Sequence, residues 1–216
     1  MTRERSLPLI ANPVARRLLL SGAGMLERPK GRCTTRTVKD IIYALGYVQL
    51  DSIYRVERAH HSILFSRTSS YKQTYLKHLL ERERSVFENW THDAAIIPVE
   101  FFPYWQRHFV RFAPYLWKRW HAANRLQDRV DLDRIKTHIA NHGPVLARDL
   151  APETNAKRNG WWDWHPSKAA LEFLWRTGEL AVTRRDGFQK VYDLTENVIP
   201  AAFRTGPVAS EQFVDW

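Results

Sequence analysis

Apolar residues recur along this chain mostly at helical spacing, and in a few places at the alternating spacing of a strand. Asn12 as N-cap and Pro13 at the first helical position predict a helix running to about Ser21, ended by Gly22 and Gly24. Val38, Ile41, Ile42 and Leu45 predict a second helix, opened at Thr37-Val38-Lys39-Asp40 and stopped by Gly46. From Tyr47 to Ile53 the pattern alternates, as in an extended segment. Further helices are expected over about 71–84, 98–110 and 114–126.

The second half is sharper. Leu132, Ile135 and Ile139 mark a helix over 131–142, which Gly143-Pro144 stops. A short helix is expected at 145–151, followed by the turn-rich loop APETNAKRNG. Pro166 opens a helix that Gly178 closes. Two alternating runs, ELAVTRR and FQKVYDL, flank Asp186-Gly187, a strong hairpin signal. Helices followed by a two-stranded hairpin are the order of a winged helix. The expected fold is therefore mainly α, with tandem winged-helix units bearing small β-hairpin wings. The first unit covers 1–126, the second 127–200, and 201–216 form a tail.

Composition narrows the partners. Hydrophobic residues make up 44% of the 216, enough for a packed core, and Lys plus Arg exceed Asp plus Glu by 33 to 23, a net charge of +10. That surplus calls for an anionic partner, nucleic acid or a membrane surface. The one cysteine, Cys33, rules out an internal disulfide and suits a reducing compartment. The basic-then-apolar start is interrupted by Asn12, Pro13, Arg16 and Arg17, and no stretch is long enough to cross a bilayer, so a cytosolic protein is expected. No obligate protein partner is evident in the sequence. Around the wing tip, Arg184, Arg185 and Lys190 suit a phosphate contact as well as they suit a solvated turn.

The chemistry centres on Tyr47-Val48-Gln49-Leu50-Asp51. In an extended segment Gln49 and Asp51 share one face while Val48 and Leu50 enter the core. An amide can orient a water and a carboxylate can take its proton, or stabilise positive charge developing on a sugar. Taken alone, such a pair more often marks a solvated strand face. His92 and Asp93 are candidate neighbours, although Asp93 equally suits the cap of a helix starting near Ala94. His60 and His61, adjacent in sequence, suit a DNA contact or plain packing. His138 and His142 lack the intervening Glu of a zinc protease and read as structural. The tryptophans Trp161, Trp162 and Trp164 read as packing. No metal or organic cofactor is needed, and no lysine stands beside Gln49 and Asp51 in sequence, which argues against a Schiff-base intermediate.

The segments VQLDSIYRVERAHHSILFSR, ENWTHDA and GWWDWHPSKAALEFLWRTGELAVTRRDGFQKVYDLTENVIP resemble the corresponding blocks of the AlkZ/YcaQ-like DNA glycosylases, from about Leu7 to Pro200. Asp at the second motif position resembles the YcaQ (AlkX) branch. The resemblance implies tandem winged helices, excision of alkylated purines including bulky or interstrand-crosslinked lesions, and association with the bacterial nucleoid. It implies Gln49 and Asp51 as the catalytic pair and places Arg55, Arg58, His60, His61 and Arg67 near the DNA. It also implies a further C-terminal region with a β-barrel that helps to hold the duplex, so that excision by the present chain is expected to be slow. The competing expectation is a non-catalytic winged-helix DNA-binding protein.

Overall fold

A computed structural model describes residues 9–26, 28–29, 31–123, 126, 129–150 and 166–215. The turn-rich loop after Leu150 and the tryptophans at 161, 162 and 164 lie outside them.

The architecture is mainly helical, with two three-stranded antiparallel sheets. The first unit contains α1 (Asn12–Gly22), α2 (Thr35–Leu45), β1 (Val48–Gln49), α3 (Ala59–Phe65), α4 (Gln73–His78, continued by a π-helical turn over Leu79–Glu83) and the hairpin β2 (Val86–Trp90)–β3 (Ala94–Pro98). A 21-residue helix, α5 (Phe102–Ala122), leads to α6 (Arg129–His142), β4 (Val145–Leu146), α7 (Pro166–Arg176) and the hairpin β5 (Leu180–Asp186)–β6 (Gln189–Leu194). Two short helices, α8 (Thr195–Val198) and α9 (Ser210–Asp215), close the described chain. The sheets share one plan: the lone strand pairs with the second hairpin strand, in the orders β1-β3-β2 and β4-β6-β5.

Several sequence expectations hold locally. α2 presents Val38 and Ile42 to the core and ends at Gly46, whose φ is +78°. Its cap is Thr34, forming a reciprocal capping box with Thr37, three residues before the expected start. The helix predicted at 145–151 is instead the strand β4 followed by a turn, because Val145 and Leu146 pair with Tyr192 and Val191. Ala94 begins a strand, so Asp93 is no helix cap; its Oδ1 accepts the Ala94 N–H across a hairpin turn. The helices expected at 98–110 and 114–126 form the single α5, which carries Pro114 inside it.

Three apolar clusters hold these pieces together. One, around Val38, Ile42, Val48, Leu64, Leu79 and Ile96, belongs to the first unit. A second gathers α6, α7 and the β5–β6 hairpin around Leu171, Leu174 and Trp175, and includes Leu116 and Trp120 of α5. The third, with Phe87, Ile97, Phe102, Phe109, Ala181 and Ile199, lies between the two sheets. Gly178 belongs to this seam. Its φ is +80°, and a β-carbon there would collide with the Phe109 ring, so α5 and the second unit close only over glycine.

Polar groups reinforce the seam. Trp175 Nε1–H donates to the Glu88 carbonyl, and the Asn89 side-chain amide donates to the Trp175 carbonyl at 3.0 Å. A register irregularity in β5 between Val182 and Arg184 leaves Thr183 to Arg84, whose guanidinium donates to both its carbonyl and its hydroxyl at 2.8 Å.

Candidate active site

Strand β1 supplies the first part of the site. Val48 and Leu50 are buried and Gln49 and Asp51 half-buried, the alternation expected of the extended segment. Pairing with β3 continues one step past β1, through the Leu50 N–H to the Ala94 carbonyl at 2.7 Å. The chain then leaves the sheet. Asp51 Oδ1 accepts the Ile53 N–H at 2.8 Å, which fixes the carboxylate at the head of a turn.

Asp51 faces a cleft of about 770 Å³ between the two units. Leu50, Asp51, Ser52 and Asp93 line it from the first unit, and Arg148, Lys168, Glu172 and residues of the β5–β6 hairpin from the second. Gln49 is not part of this lining. His92 is exposed in the β2–β3 turn, edge-on to Tyr47 at 5.9 Å between ring centres. Two lysines, Lys168 and Lys190, reach the cleft that holds Asp51, which proximity in sequence alone did not reveal.

The wing cations behave differently from one another. Arg184 is exposed. Arg185 instead turns inward, with Nε donating to Glu88 Oε2 at 2.9 Å and a second nitrogen pairing with Oε1. Glu88, only 2% exposed, is thereby neutralised. Lys190 pairs with Glu172 and stands 3.4 Å from the centre of the Trp175 ring. Burial lowers the Lys190 ammonium pKa, against the opposing pull of Glu172. Glu172 also accepts from the Tyr192 hydroxyl and faces Arg176, so one buried carboxylate organises two cations and a phenol. Of the three cations expected at a phosphate contact or a solvated turn, Arg185 and Lys190 are thus engaged inside the protein, because buried carboxylates need them.

The arginines after β1 also divide. Arg55 is exposed. Arg67 is a structural tie, donating to the carbonyls of Ala23 and Ile63 at 2.8 and 2.7 Å. Arg58 lies over the rings of Tyr54 and Phe188, at 5.1 and 4.2 Å. His60 is 3% exposed and stacks on Phe188 with an 18° interplanar angle. Burial, with His61, Arg185 and Arg58 nearby, lowers its pKa to about 3, and Asp51 only partly opposes this. His60 is therefore neutral at physiological pH. His61 contacts the Tyr71 hydroxyl through Nδ1 at 2.7 Å, and burial lowers its pKa also.

Phe188 joins these groups, with no local pattern that marks it out. Gly187 and Phe188 both have positive φ, +52° and +69°, as the two central residues of the β5–β6 turn. A bulky residue in that region is costly, by about 1–3 kcal/mol. Here Arg58 and Arg185 each lie about 4 Å from the centre of its ring, with His60 stacked alongside. The β5–β6 turn is thereby anchored to the first unit.

Among the described residues there is no cluster of three or more metal-ligating side chains, and no helix long and apolar enough to cross a membrane. No solved structure matches the chain. Residues 42–216 match the family described as DNA glycosylase AlkZ-like, a span that takes in the Asp51 cleft and both sheets. The chain belongs to the AlkZ-like DNA glycosylase family.

Proposed function

We propose that this protein hydrolyses the N-glycosidic bond of alkylated purines in duplex DNA, with Asp51 as the central catalytic group. The observation that carries this reading is the half-buried Asp51 carboxylate on a cleft between two units, in a chain with a net charge of +10. Alkylation at N7 or N3 makes the base cationic and a good leaving group. As the bond breaks, positive charge moves to the sugar, where a fixed carboxylate stabilises it and accepts a proton from the attacking water. Asp51 Oδ1 is fixed by the Ile53 amide, and Oδ2 is engaged by no described residue. Gln49, the other half of the Gln-x-Asp pair, lies outside the cleft lining, and the chemistry is assigned to Asp51.

The two units share the order helix, lone strand, helix, hairpin, which supports reading both as winged helices. The Gln-x-Asp motif supports the YcaQ branch. A cleft at a junction of units, rather than a closed pocket, suits bulky and crosslinked lesions that cannot be fully extruded. Arg55, Arg184 and the exposed face around His92 are assigned to the DNA backbone, in a cytosolic, nucleoid-associated protein. The reaction is assigned as hydrolysis alone. Of the two lysines at the cleft, Lys190 is held by Glu172 and Trp175, and the assignment requires that neither it nor Lys168 forms a Schiff base.

The test is incubation with a duplex carrying one N7-alkylguanine, with release of the base followed by chromatography. The expected result is free base and an intact abasic strand, with no adduct trapped by borohydride. Duplex binding without base release would favour a non-catalytic DNA-binding protein.

A further inference from the structure

Behind the Asp51 cleft lies a second cavity, of about 350 Å³, and Leu50, Arg185 and Phe188 border both. Leu76, Leu80 and Val182 give it apolar walls, while exposed Gln73, Thr74 and Lys77 lie at its rim. Arg58 and His60 also line it. Each carries a buried nitrogen, Arg58 Nε and His60 Nδ1, with no hydrogen-bond partner among the described residues. Buried polar groups left unpaired are costly, so two in one cavity point to a ligand that completes them.

We infer that this cavity holds the nucleobase that leaves from the Asp51 cleft. The inference rests on the glycosylase reading and adds the destination of the base. A purine is planar and mostly apolar, with donors and acceptors around its edge. It can stack beside the Phe188–His60 pair while pairing with Arg58 Nε–H and His60 Nδ1. The strained Phe188 backbone sets the ring in the wall shared by cleft and cavity, within one residue of Asp51 through Leu50.

Charge selects the product over the substrate. The alkylated base is cationic while bonded and neutral once released. Arg58, Lys77, Arg184 and Arg185 line the cavity against Glu81 and Glu88, four cations to two carboxylates. A cationic ring is disfavoured among them and a neutral ring is not. Positive charge is favoured instead on the Asp51 side, where the sugar acquires it. Binding that improves as the bond breaks accelerates the reaction.

The experiment titrates the protein with free 7-methylguanine and follows binding by calorimetry, using wild type, His60→Phe and Thr74→Trp. His60→Phe keeps an aromatic ring but removes the nitrogen. Thr74 is exposed, so Thr74→Trp fills the rim without disturbing the core. Saturable binding, weakened about tenfold or more by each substitution, is expected. No saturable binding at millimolar base, or binding that both substitutions leave unchanged, would overturn the inference. Repeating the titration with Asp51→Asn separates the two readings. Base binding here without excision by the wild type would refute the glycosylase reading alone, and excision without base binding would refute this inference alone.

Discussion

The two units follow the same strand order, yet they hand the cleft between them opposite charges. In the first, the chain leaves the lone strand β1 and turns at Asp51, whose carboxylate lines the cleft. In the second, the chain leaves β4 and turns at Arg148 and Asp149; Asp149 caps the turn by accepting the Leu146 N–H, and Arg148 lines the cleft. The hairpins differ as well. The β2–β3 turn carries His92 exposed, whereas the β5–β6 turn folds Phe188 and Arg185 back onto the first unit. One frame used twice thus yields a carboxylate for chemistry on one side, and on the other cations together with a clasp that fixes the distance between the halves.

Breaking the clasp should have the largest effect. Glu88→Ala leaves Arg185 without its buried partner, and should cost about 3–5 kcal/mol of stability. Denaturant titration checks this, and a loss under 1 kcal/mol would mean that the pair does not hold the units together.

A smaller effect concerns His60. Its folded pKa, about 3, lies below the unfolded value, so its contribution to stability is complete at neutral pH and is lost as pH falls below about 6.5. The slope approaches about 1.4 kcal/mol per pH unit for this one proton. His61 and His108 are lowered in the same direction, so acid sensitivity should persist in part after His60→Gln. Denaturation midpoints between pH 5 and 6.5, where carboxylates stay ionised, should show the slope reduced by about one proton in that variant. An unchanged slope would mean that His60 titrates normally.

The smallest effect separates the wing cations. Arg184→Ala should flatten the dependence of log duplex affinity on log salt by about 0.9, the value for one phosphate contact. Lys190→Met should change stability and leave the salt slope unaltered, since Lys190 is engaged by Glu172. A slope change from Lys190 equal to that from Arg184 would erase the distinction between the two.

How much of this was legible in the sequence follows from the range of each signal. The Val48–Asp51 alternation and the ELAVTRR/FQKVYDL hairpin are local patterns, and both appear in the structure. The β2–β3 hairpin was missed because its turn, Thr91-His92-Asp93, contains no glycine. It closes instead through Thr91, whose N–H and hydroxyl both donate to the Asp93 carbonyl, at 2.8 and 3.2 Å. The inward fate of Arg185 and Lys190 was invisible because their partners lie 97 and 18 residues away. Phe188 reads as the start of a strand, since nothing local announces that Arg58 and His60, across the seam, will support a positive φ. Lys168 and Lys190 beside Asp51 are likewise products of folding.

The central claim is that Asp51 performs the chemistry while other residues hold the DNA, and single-turnover excision of an N7-alkylguanine by Asp51→Asn tests it directly. The substitution keeps the shape and the acceptor for the Ile53 amide but removes the charge and the proton acceptor. Excision should fall on the order of a hundredfold or more, with duplex binding retained or strengthened. Excision at the wild-type rate by Asp51→Asn would contradict the account.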